Sequence, residues 1–468
     1  MNPLPFILLL LLAVSCAKAP EPFGPVPSAS QLAWQKMETN LFVHFGPNTF
    51  SGVEWGDGTE PEDLFRPSEL DCRQWASVAR AGGFRGIILT AKHHDGFCLW
   101  PSATTTHTVA GSSWKEGKGD VLKELSQACR EYGLSFGVYL SPWDRHHPAY
   151  GTKDYNALYA RALEEVHTGY GPVFEQWFDG ACGEGPGGKL QHYDWPLFHS
   201  AVLERSPRAV MFSDVGPGCR WVGNESGTAG ETNWSRLDTE GFTPGLGAPP
   251  ADTLQQGNIH GASWIPAEAD VSIRPGWFWR ASEDDKVKSV EELLDIYYRT
   301  VGRNALLLLN IPADDRGLLP AKDSAVVAAF YMRLEGIFSR NLADGATLRA
   351  SASRGGKFGP ENLLSQDYDR FWAVPDRVLT PEVELRLPAP QTFNRILLQE
   401  YIPLGQRVAS FTVEALLDGR WHTIAEGTTI GYKRILLTDA PVTTSRIRLR
   451  ITQSLACPVL NRLGLYLD

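Results

Sequence analysis

The sequence lacks several features that would each assign it to a familiar class of protein. Its seven cysteines form no CxxC pair and no spacing typical of zinc ligands, so neither a structural zinc nor an essential disulfide is expected. It has no dense run of lysine and arginine, and 44 basic against 54 acidic residues leave a net charge of −10, which argues against nucleic acid as a partner. No GxGxxG motif opens the first strand–helix turn, so nothing supports a dinucleotide site.

Long hydrophobic runs are also scarce. The apolar stretch at residues 7–14 is shorter than the ~20 residues of a membrane-spanning helix and is typical of a signal peptide. Residues 13–16 resemble the processing box of bacterial lipoproteins, in which Cys16 becomes the lipidated first residue, although residues 1–5 carry no lysine or arginine. We expect an exported protein of the periplasm or outer membrane of a bacterium, with a lipid on Cys16 as its membrane contact. Simple secretion is the alternative.

The chain is too long for one domain, because single cores stop growing near about 250–300 residues. From residue 41 to about 338, short apolar runs alternate with amphipathic stretches, which is typical of an α/β domain around a parallel sheet. We predict strands at 41–45, 86–91, 135–140, 173–178, 209–212, 264–268 and 305–311. Their number favours a (β/α)8-like TIM-type barrel over residues 28–340, with an irregular unit between Asp214 and Gly261. A doubly wound open sheet is the competing fold.

One helix is predicted both by the period of its apolar residues and by the capping residues at its N-terminus. Val290, Leu293, Leu294 and Tyr297 share one face of a 3.6-residue period, and the preceding Ser289 forms a capping box with the glutamate three residues on. Further helices are predicted at 120–132, 154–166, 195–204 and 322–337.

The last part of the chain has a different pattern. Residues 383–387, 395–399, 411–415 and 446–451 alternate apolar and polar side chains with turn residues between them, and no helical period appears. Residues 341–468 are therefore predicted to form an all-β sandwich, and residues 1–27 a leader and tether.

Polar and aromatic residues gather where four predicted strands end. The C-terminal strand ends of a βα barrel carry its active site, so these residues are expected to meet in one pocket suited to a sugar. A metal site is the rival interpretation. His93 and His94 would point to opposite sides of an extended strand, which makes them a poor chelate unless the backbone bends. The residues in question are His44, His93, His94, Tyr139, Trp177 and Asp179.

Two carboxyl groups are needed for glycoside hydrolysis. Asp179 ends an apolar strand, which makes it the best candidate nucleophile. The glycine-rich loop that follows offers Glu225 and Glu231 as the acid/base, and spacing alone leaves that choice open.

Four segments together resemble the alpha-L-fucosidases of glycoside hydrolase family 29. They are LFVHFG at 41–46, EW at 54–55, AKHHDGF at 91–97 and WFDG at 177–180. The resemblance implies an exo-acting retaining enzyme that releases terminal L-fucose from fucosylated oligosaccharides or glycoconjugates without a cofactor, with Asp179 as nucleophile.

The resemblance also implies which side chains bind fucose. Trp279 is expected to close the pocket against the sugar's methyl group. The loop at 220–234, with Arg220, resembles the branch restricted to alpha-1,3/1,4 linkages of Lewis-type glycans, which favours Glu225 over Glu231 as acid/base. The other expected pocket residues are His44, Glu54, Trp55, His93, His94, Tyr139 and Trp177.

Two other functions remain open. One is a fucosidase of broad specificity that also accepts alpha-1,2 linkages and aryl fucosides, and the other is a non-catalytic carbohydrate-binding lipoprotein. The sandwich is similar to discoidin-like, galactose-binding modules. It is expected to support the barrel, and a sugar or a structural Ca²⁺ bound through its loops is the alternative, with Asn362, Asp367, Asp369 and Trp372 as candidate contacts.

Overall fold

Eight parallel strands close into a barrel in this computed structural model, which describes residues 18–468. Each strand pairs with its sequence neighbours, and the last pairs with the first, with Leu309 beside Leu41. The closure confirms the predicted barrel and excludes the open doubly wound sheet. The strands are β1 (Thr39–Val43), β2 (Gly86–Lys92), β3 (Ser135–Leu140), β4 (Val173–Trp177), β5 (Val210–Ser213), β6 (Cys219–Trp221), β7 (Ala267–Ser272) and β8 (Ala305–Asn310).

The strand sequences explain the barrel. All residues of β2 and of β8 are buried, as expected when helices cover a parallel sheet outside and side chains fill it inside. Helices alternate with the strands: α1 (Ala29–Gln35), α2 (Pro47–Ser51), α3 (Cys72–Ala81), α4 (Val121–Tyr132), α5 (Lys153–Gly169), α6 (Trp195–Arg205), α7 (Ala251–Gln256), α8 (Val290–Arg299) and α9 (Ala321–Phe338).

Two barrel strands differ from the prediction. The strand expected at 264–268 is split at Pro266, which has no N–H for a ladder, and β7 begins after it. Ser263–Trp264 instead pairs with Arg236–Leu237 in a small antiparallel ribbon. β6 lies inside the region expected to be irregular, because three residues are too few to show a period.

The C-terminal part is all β, as predicted, and folds over its own core. Its strands are β9 (Thr347–Ala350), β10 (Trp372–Ala373), β11 (Glu382–Glu400), β12 (Val408–Leu417), β13 (Arg420–Gly427), β14 (Arg434–Ser454) and β15 (Val459–Tyr466). β11 and β14 are 19 and 21 residues long, and their register shifts between Arg386 and Gln391. The core of this part contains Trp372, Phe393, Phe411, Ile447 and Leu463.

The sandwich is bonded to the N-terminal end of the barrel. Glu38, just before β1, accepts hydrogen bonds from the hydroxyls of Tyr297 (3.0 Å) and Tyr432 (3.1 Å). Asn304, just before β8, accepts the backbone N–H of Tyr432 at 2.7 Å and donates to the carbonyl of Asn233 at 3.0 Å. These contacts lie opposite the C-terminal strand ends, so the sandwich braces the end of the barrel that is remote from the expected active site.

The N-terminal signal and Cys16 lie outside the described residues. Among residues 18–468, no helix is both long enough and apolar enough to cross a bilayer. The six cysteines in this range are unbonded.

The capping box of α8 gives a stability prediction. The Ser289 hydroxyl accepts the N–H of Glu292 at 3.2 Å, and the Glu292 carboxylate accepts the N–H of Ser289 at 2.7 Å. Ser289→Ala should therefore lower the free energy of unfolding by about 1 kcal/mol. The control is Ser200→Ala on the exposed side of α6. Calorimetry showing equal unfolding temperatures for the two variants would contradict the assignment of the cap.

Candidate active site

A cavity of about 100 Å³ opens at the C-terminal ends of the barrel strands. A second cavity, of about 260 Å³, shares Trp177, Asp179 and Glu225 with it and extends toward Asp214 and Trp221. Nine of the sequence-predicted residues line the first cavity: His44, Glu54, Trp55, His93, His94, Tyr139, Trp177, Asp179 and Glu225. The structure therefore brings the predicted side chains together at the barrel end where active sites of this fold occur.

His44 follows β1 and is oriented by Asn310, the last residue of β8. Asn310 Oδ1 lies 2.9 Å from His44 Nδ1, while Asn310 Nδ2 donates to Ser272 Oγ and to the Trp277 carbonyl, both at 2.9 Å. Because the amide nitrogen does the donating, the amide oxygen accepts, and the proton of His44 is on Nδ1. Burial lowers the pKa of His44 to about 3. The neutral ring keeps Nε2 as an acceptor for a hydroxyl group.

His93 and His94 both face the cavity because the backbone bends after β2. Their ring centroids are 4.1 Å apart, and His94 Nδ1 lies 2.7 Å from Ser141 Oγ. Burial lowers the pKa of His93 well below its usual value. It lowers the pKa of His94 to about 4, although the nearby Asp179 carboxylate opposes the shift. Both rings are therefore neutral hydrogen-bonding groups at neutral pH.

Asp179 lies two residues beyond β4 and is held by two donors. The Tyr139 hydroxyl donates to Oδ2 at 2.9 Å, and the Ala181 N–H donates to Oδ1 at 2.7 Å. His94 Nε2 lies 3.9 Å from Oδ2, and the side chain is 26% exposed. Bonds to a carboxylate from two fixed donors set its orientation. Asp179 thus presents an oriented carboxylate to the cavity.

Glu225 comes from the loop after β6 and reaches the cavity from the side. Trp277 Nε1 donates to its Oε2 at 3.2 Å. Partial removal from water raises the pKa of Glu225, the Trp277 bond opposes the rise, and the negative charges of Asp179 and Glu54 add to it. A carboxyl group whose pKa is raised in this way can hold a proton closer to neutral pH.

Glu54 and Trp55 form one rim of the cavity. The Glu54 carboxylate accepts the backbone N–H of Trp277 and pairs with Arg280, which ties the loop after α2 to the loop after β7. Trp55 is 56% exposed and meets the ring of His94 edge-on at 5.5 Å. An exposed indole at a cavity mouth offers an apolar face to a sugar.

Two polar or aromatic residues that line the cavity were not predicted from the sequence. Asp270 on β7 and Trp277 in the following loop both line the cavity. Burial, together with the charges of Glu225 and Asp179, raises the pKa of Asp270 well above its usual value. Its Oδ1 has no hydrogen-bond partner among the residues described. Correct bounds for β7 would have revealed Asp270, because alternate residues of that strand point inward.

Arg220 does not line the cavity, so that prediction is wrong. β6 alternates like any strand: Cys219 and Trp221 pack in the barrel interior, and Arg220 between them points outward. Its guanidinium is fully buried and binds loop oxygens on the outside of the barrel, namely those of Leu254, Ile265, Asn233 and Trp234.

Trp279 and Glu231 are also placed elsewhere. Trp279 lines a separate groove with Arg66 and Arg280, and Trp277, two residues earlier, takes the position by the cavity. Glu231 pairs with Arg303, 2.8 Å away, at the barrel–sandwich junction. This junction is at the opposite end of the barrel from Asp179, so of the two glutamates it is Glu225 that lines the cavity.

One group of acidic and thiol side chains lies apart from the cavity among residues 18–468. Glu175, Cys219 and Glu268 lie in the barrel interior with ligand atoms within 4.8 Å of one another.

The sandwich residues named above lie in two environments. Trp372 is fully buried, with Nε1 bonded to the Ala352 carbonyl, so it is a core residue and no sugar platform. Asn362 is also buried and donates to backbone carbonyls, whereas Asp367 and Asp369 are exposed.

Comparison with known proteins agrees with this geometry. A family model described as alpha-L-fucosidase matches residues 28–333. Alpha-L-fucosidase 1 of Arabidopsis thaliana is 43% identical over 455 residues, which cover 96% of this chain and 89% of the plant protein. The chain belongs to the alpha-L-fucosidase family.

Solved structures of this fucosidase family extend the agreement to the whole fold. A glycoside hydrolase 29 family member from an unknown rumen bacterium is 41% identical with a TM-score of 0.84, covering 96% of this chain and 78% of that one. A Ruminococcus gnavus GH29 fucosidase in complex with fucose is 31% identical with a TM-score of 0.88, covering 97% of both chains. A second family model, the F5/8 type C domain, matches residues 347–461 and confirms the discoidin-like sandwich.

The buried acid on β7 gives a prediction for this fucosidase. Asp270→Asn should keep fucosidase activity within about three-fold of wild type, because an amide is neutral like a protonated carboxyl group. The raised pKa means that the folded protein keeps a proton which the unfolded chain loses above about pH 4. The wild-type unfolding temperature should therefore fall, relative to that of the variant, as pH rises. Parallel curves between pH 5 and 9 would show that Asp270 is ionised in the folded state.

Proposed function

We propose that this fucosidase is exo-acting and retaining, with Asp179 as the nucleophile and Glu225 as the acid/base. The observation that carries the proposal is Asp179 itself, a carboxylate oriented by Tyr139 and Ala181 and open to a cavity of monosaccharide scale. Asp179 attacks the anomeric carbon while protonated Glu225 gives its proton to the leaving oxygen. Water, deprotonated by Glu225, then releases fucose with its original anomeric configuration.

The electrostatics of the pair support this cycle. The negative charge of Asp179 helps to raise the pKa of Glu225 in the free enzyme, which favours the acid form for the first step. Esterification of Asp179 removes that charge, so the pKa of Glu225 falls and it can act as a base for the second step. No cofactor takes part in either step.

Neutral imidazoles suit the rest of the cavity to a sugar. The lone pair of His44 Nε2 accepts a hydroxyl proton, and the rings of Trp177 and Trp55 cover apolar sugar faces. Trp277 takes the place beside the fucose methyl group for which Trp279 was expected. Hydrogen bonds of this kind strengthen as positive charge develops on the ring, which favours the transition state over the substrate.

Replacing the nucleophile tests the mechanism and the non-catalytic alternative together. Asp179→Asn should lower kcat by at least about 1,000-fold, because no covalent intermediate can form, while fucose binding persists in calorimetry. NMR of the wild-type reaction should show the retained anomer first. Unchanged hydrolysis by the variant, or an inverted first product, would remove Asp179 from this role, and a wild type that binds fucose without releasing it would favour a binding protein.

Glu225 and Glu231 offer a matched pair for the acid/base. Glu225→Gln should lower kcat/KM for an oligosaccharide by about 100-fold or more, because the leaving sugar needs a proton. The loss should be smaller for an aryl fucoside with an acidic phenol, and azide should speed turnover of that substrate. Glu231→Gln, which alters only the junction with Arg303, should hydrolyse both substrates like wild type. The reverse pattern would reassign the acid/base.

For the linkage, we propose alpha-1,3/1,4-fucosyl bonds of Lewis-type branched glycans. The second cavity supports this specificity, since it adjoins Glu225 and gives space for a branched aglycone beside Asp214 and Trp221. With Arg220 turned away from the site, these two residues replace it as the contacts for the branching sugar.

A substrate panel tests the linkage. The protein lacking residues 1–16 is incubated with a Lewis a or Lewis x trisaccharide, with 2′-fucosyllactose and with an aryl fucoside, and free fucose is measured. Release from the Lewis sugar at least about ten-fold faster than from 2′-fucosyllactose is expected if the branch contributes binding energy in the transition state. Equal rates on all three would establish the broad-specificity alternative.

Export, lipidation of Cys16 and a structural Ca²⁺ in the sandwich remain proposals that rest on the sequence. Labelling with a radioactive fatty acid in a bacterial host tests the lipid on Cys16, with Cys16→Ser as the control. Chelator-induced loss of the sandwich unfolding transition tests the Ca²⁺.

A further inference from the structure

Two glutamates meet in the barrel interior below the fucose pocket, and no step of the reaction uses them. Glu175 on β4 and Glu268 on β7 are both fully buried. With the Cys219 thiol of β6, they place ligand atoms within 4.8 Å of one another. Among residues 18–468, neither glutamate forms an ion pair with a lysine, arginine or histidine.

The hydrogen bonds around this pair come from neutral donors. Trp34 Nε1 donates to Glu175 Oε2 at 2.7 Å, and the Cys219 thiol lies 3.8 Å from Glu175 Oε1. Trp177 Nε1 donates to Glu268 Oε1 at 3.0 Å, and Glu268 Oε2 has no hydrogen-bond donor among the described residues. Two carboxylates sealed in an apolar interior without a cation would repel each other strongly, so at least one must carry a proton.

The titratable groups around the pair agree with a shared proton. Burial raises the pKa of Glu175 to about 7. Burial and the facing Glu175 raise the pKa of Glu268 well above its usual value, with Asp270 of the same strand adding to the rise. The guanidinium of Arg220, the residue after Cys219, is turned away to loop carbonyls. The Cys219 thiol stays protonated because burial raises its pKa too.

Glu268 is linked to the reaction through Trp177. The Trp177 indole lines the pocket, stacks on Phe212 with centroids 3.8 Å apart, and packs against Tyr139 at 5.3 Å. Tyr139 in turn donates to Asp179. The bond from Nε1 to Glu268 is the polar contact that fixes the indole in its plane. A rotation of the Trp177 indole would change both the lining of the pocket and the packing of this indole against Tyr139.

We propose that Glu175 and Glu268 form a proton-sharing carboxyl pair that orients Trp177, which makes Glu268 a positioning residue of the fucosidase reaction. The inference rests on the proposed role of Trp177 in the pocket. The proton lies between Glu268 Oε2 and the Glu175 carboxyl group. Glu268 Oε1 then remains free to accept the indole N–H.

Two substitutions at one position separate orientation from simple packing. In Glu268→Gln, the amide oxygen accepts from Trp177 and the amide N–H donates to Glu175, so the network survives without its titrating proton. In Glu268→Leu, the volume is similar but the acceptor for Trp177 is lost. We expect Glu268→Gln to stay within about three-fold of wild type in kcat/KM, and Glu268→Leu to lose about ten-fold or more, chiefly through KM.

The pH dependence of stability supplies a readout independent of activity. The folded pair keeps protons that the unfolded chain releases above about pH 4.5, so its contribution to stability is greatest at low pH and falls as pH rises through about 7. The unfolding temperature of wild type should therefore decline more steeply between pH 6 and 9 than that of Glu268→Gln. This comparison needs no substrate and holds even where Glu268→Leu does not fold.

The proposal stands if Gln rescues KM where Leu does not and if the unfolding temperature of wild type declines more steeply with pH than that of Glu268→Gln. It is overturned by a folded Glu268→Leu enzyme with wild-type KM, by parallel stability curves, or by one equivalent of Zn²⁺ bound to wild type and lost in Glu268→Gln. A wild type that releases no fucose would remove the proposed function, while the stability comparison would still decide whether the proton is shared.

Discussion

The pleat of eight short strands in a closed barrel is the constraint on which the site depends. Every second residue of each strand points into a sealed interior, and its neighbours point out toward the helices. On β4 this rule directs Glu175 and Trp177 inward, and Asp179 continues the same row past the strand end. On β6 it directs Cys219 and Trp221 inward and Arg220 outward. A shift of one residue along a strand therefore decides whether a side chain points into the barrel, toward the pocket, or outward, where it can bind the loops.

The same interior concentrates carboxyl groups in a region of low dielectric. Glu175, Glu268 and Asp270 are almost completely buried, and burial raises the pKa of each. Neighbouring carboxylates add to the rise for Glu268 and Asp270. Asp179 differs in its surroundings, because it is partly exposed and its carboxyl group accepts hydrogen bonds from two neutral donors. The fold thus places one partly exposed carboxyl group at the pocket above a set of buried ones, so the environment rather than the residue type distinguishes them.

The sandwich acts at a distance from this chemistry. Its contacts through Glu38, Asn304 and the loop carrying Glu231 all lie at the N-terminal end of the barrel. That loop begins beside Glu225 at the pocket and ends against the sandwich. The sandwich therefore anchors the far end of the segment that carries the proposed acid/base.

The sequence by itself determined the barrel, the sandwich and most of the pocket, because these depend on local patterns: apolar runs, a capping box at Ser289, and polar residues directly after strands. Three features depended on tertiary structure: which loop glutamate lines the pocket, which indole lies beside it, and the orientation of Arg220. Glu225 and Glu231 stand in one loop with the same spacing signal, and only the path of that loop around the barrel separates them. Pro266 concealed the start of β7 and with it Asp270, since a broken strand shows no continuous period. Proton sharing between Glu175 and Glu268 is invisible in a sequence, because it requires two strands far apart in the chain to face each other across a closed barrel.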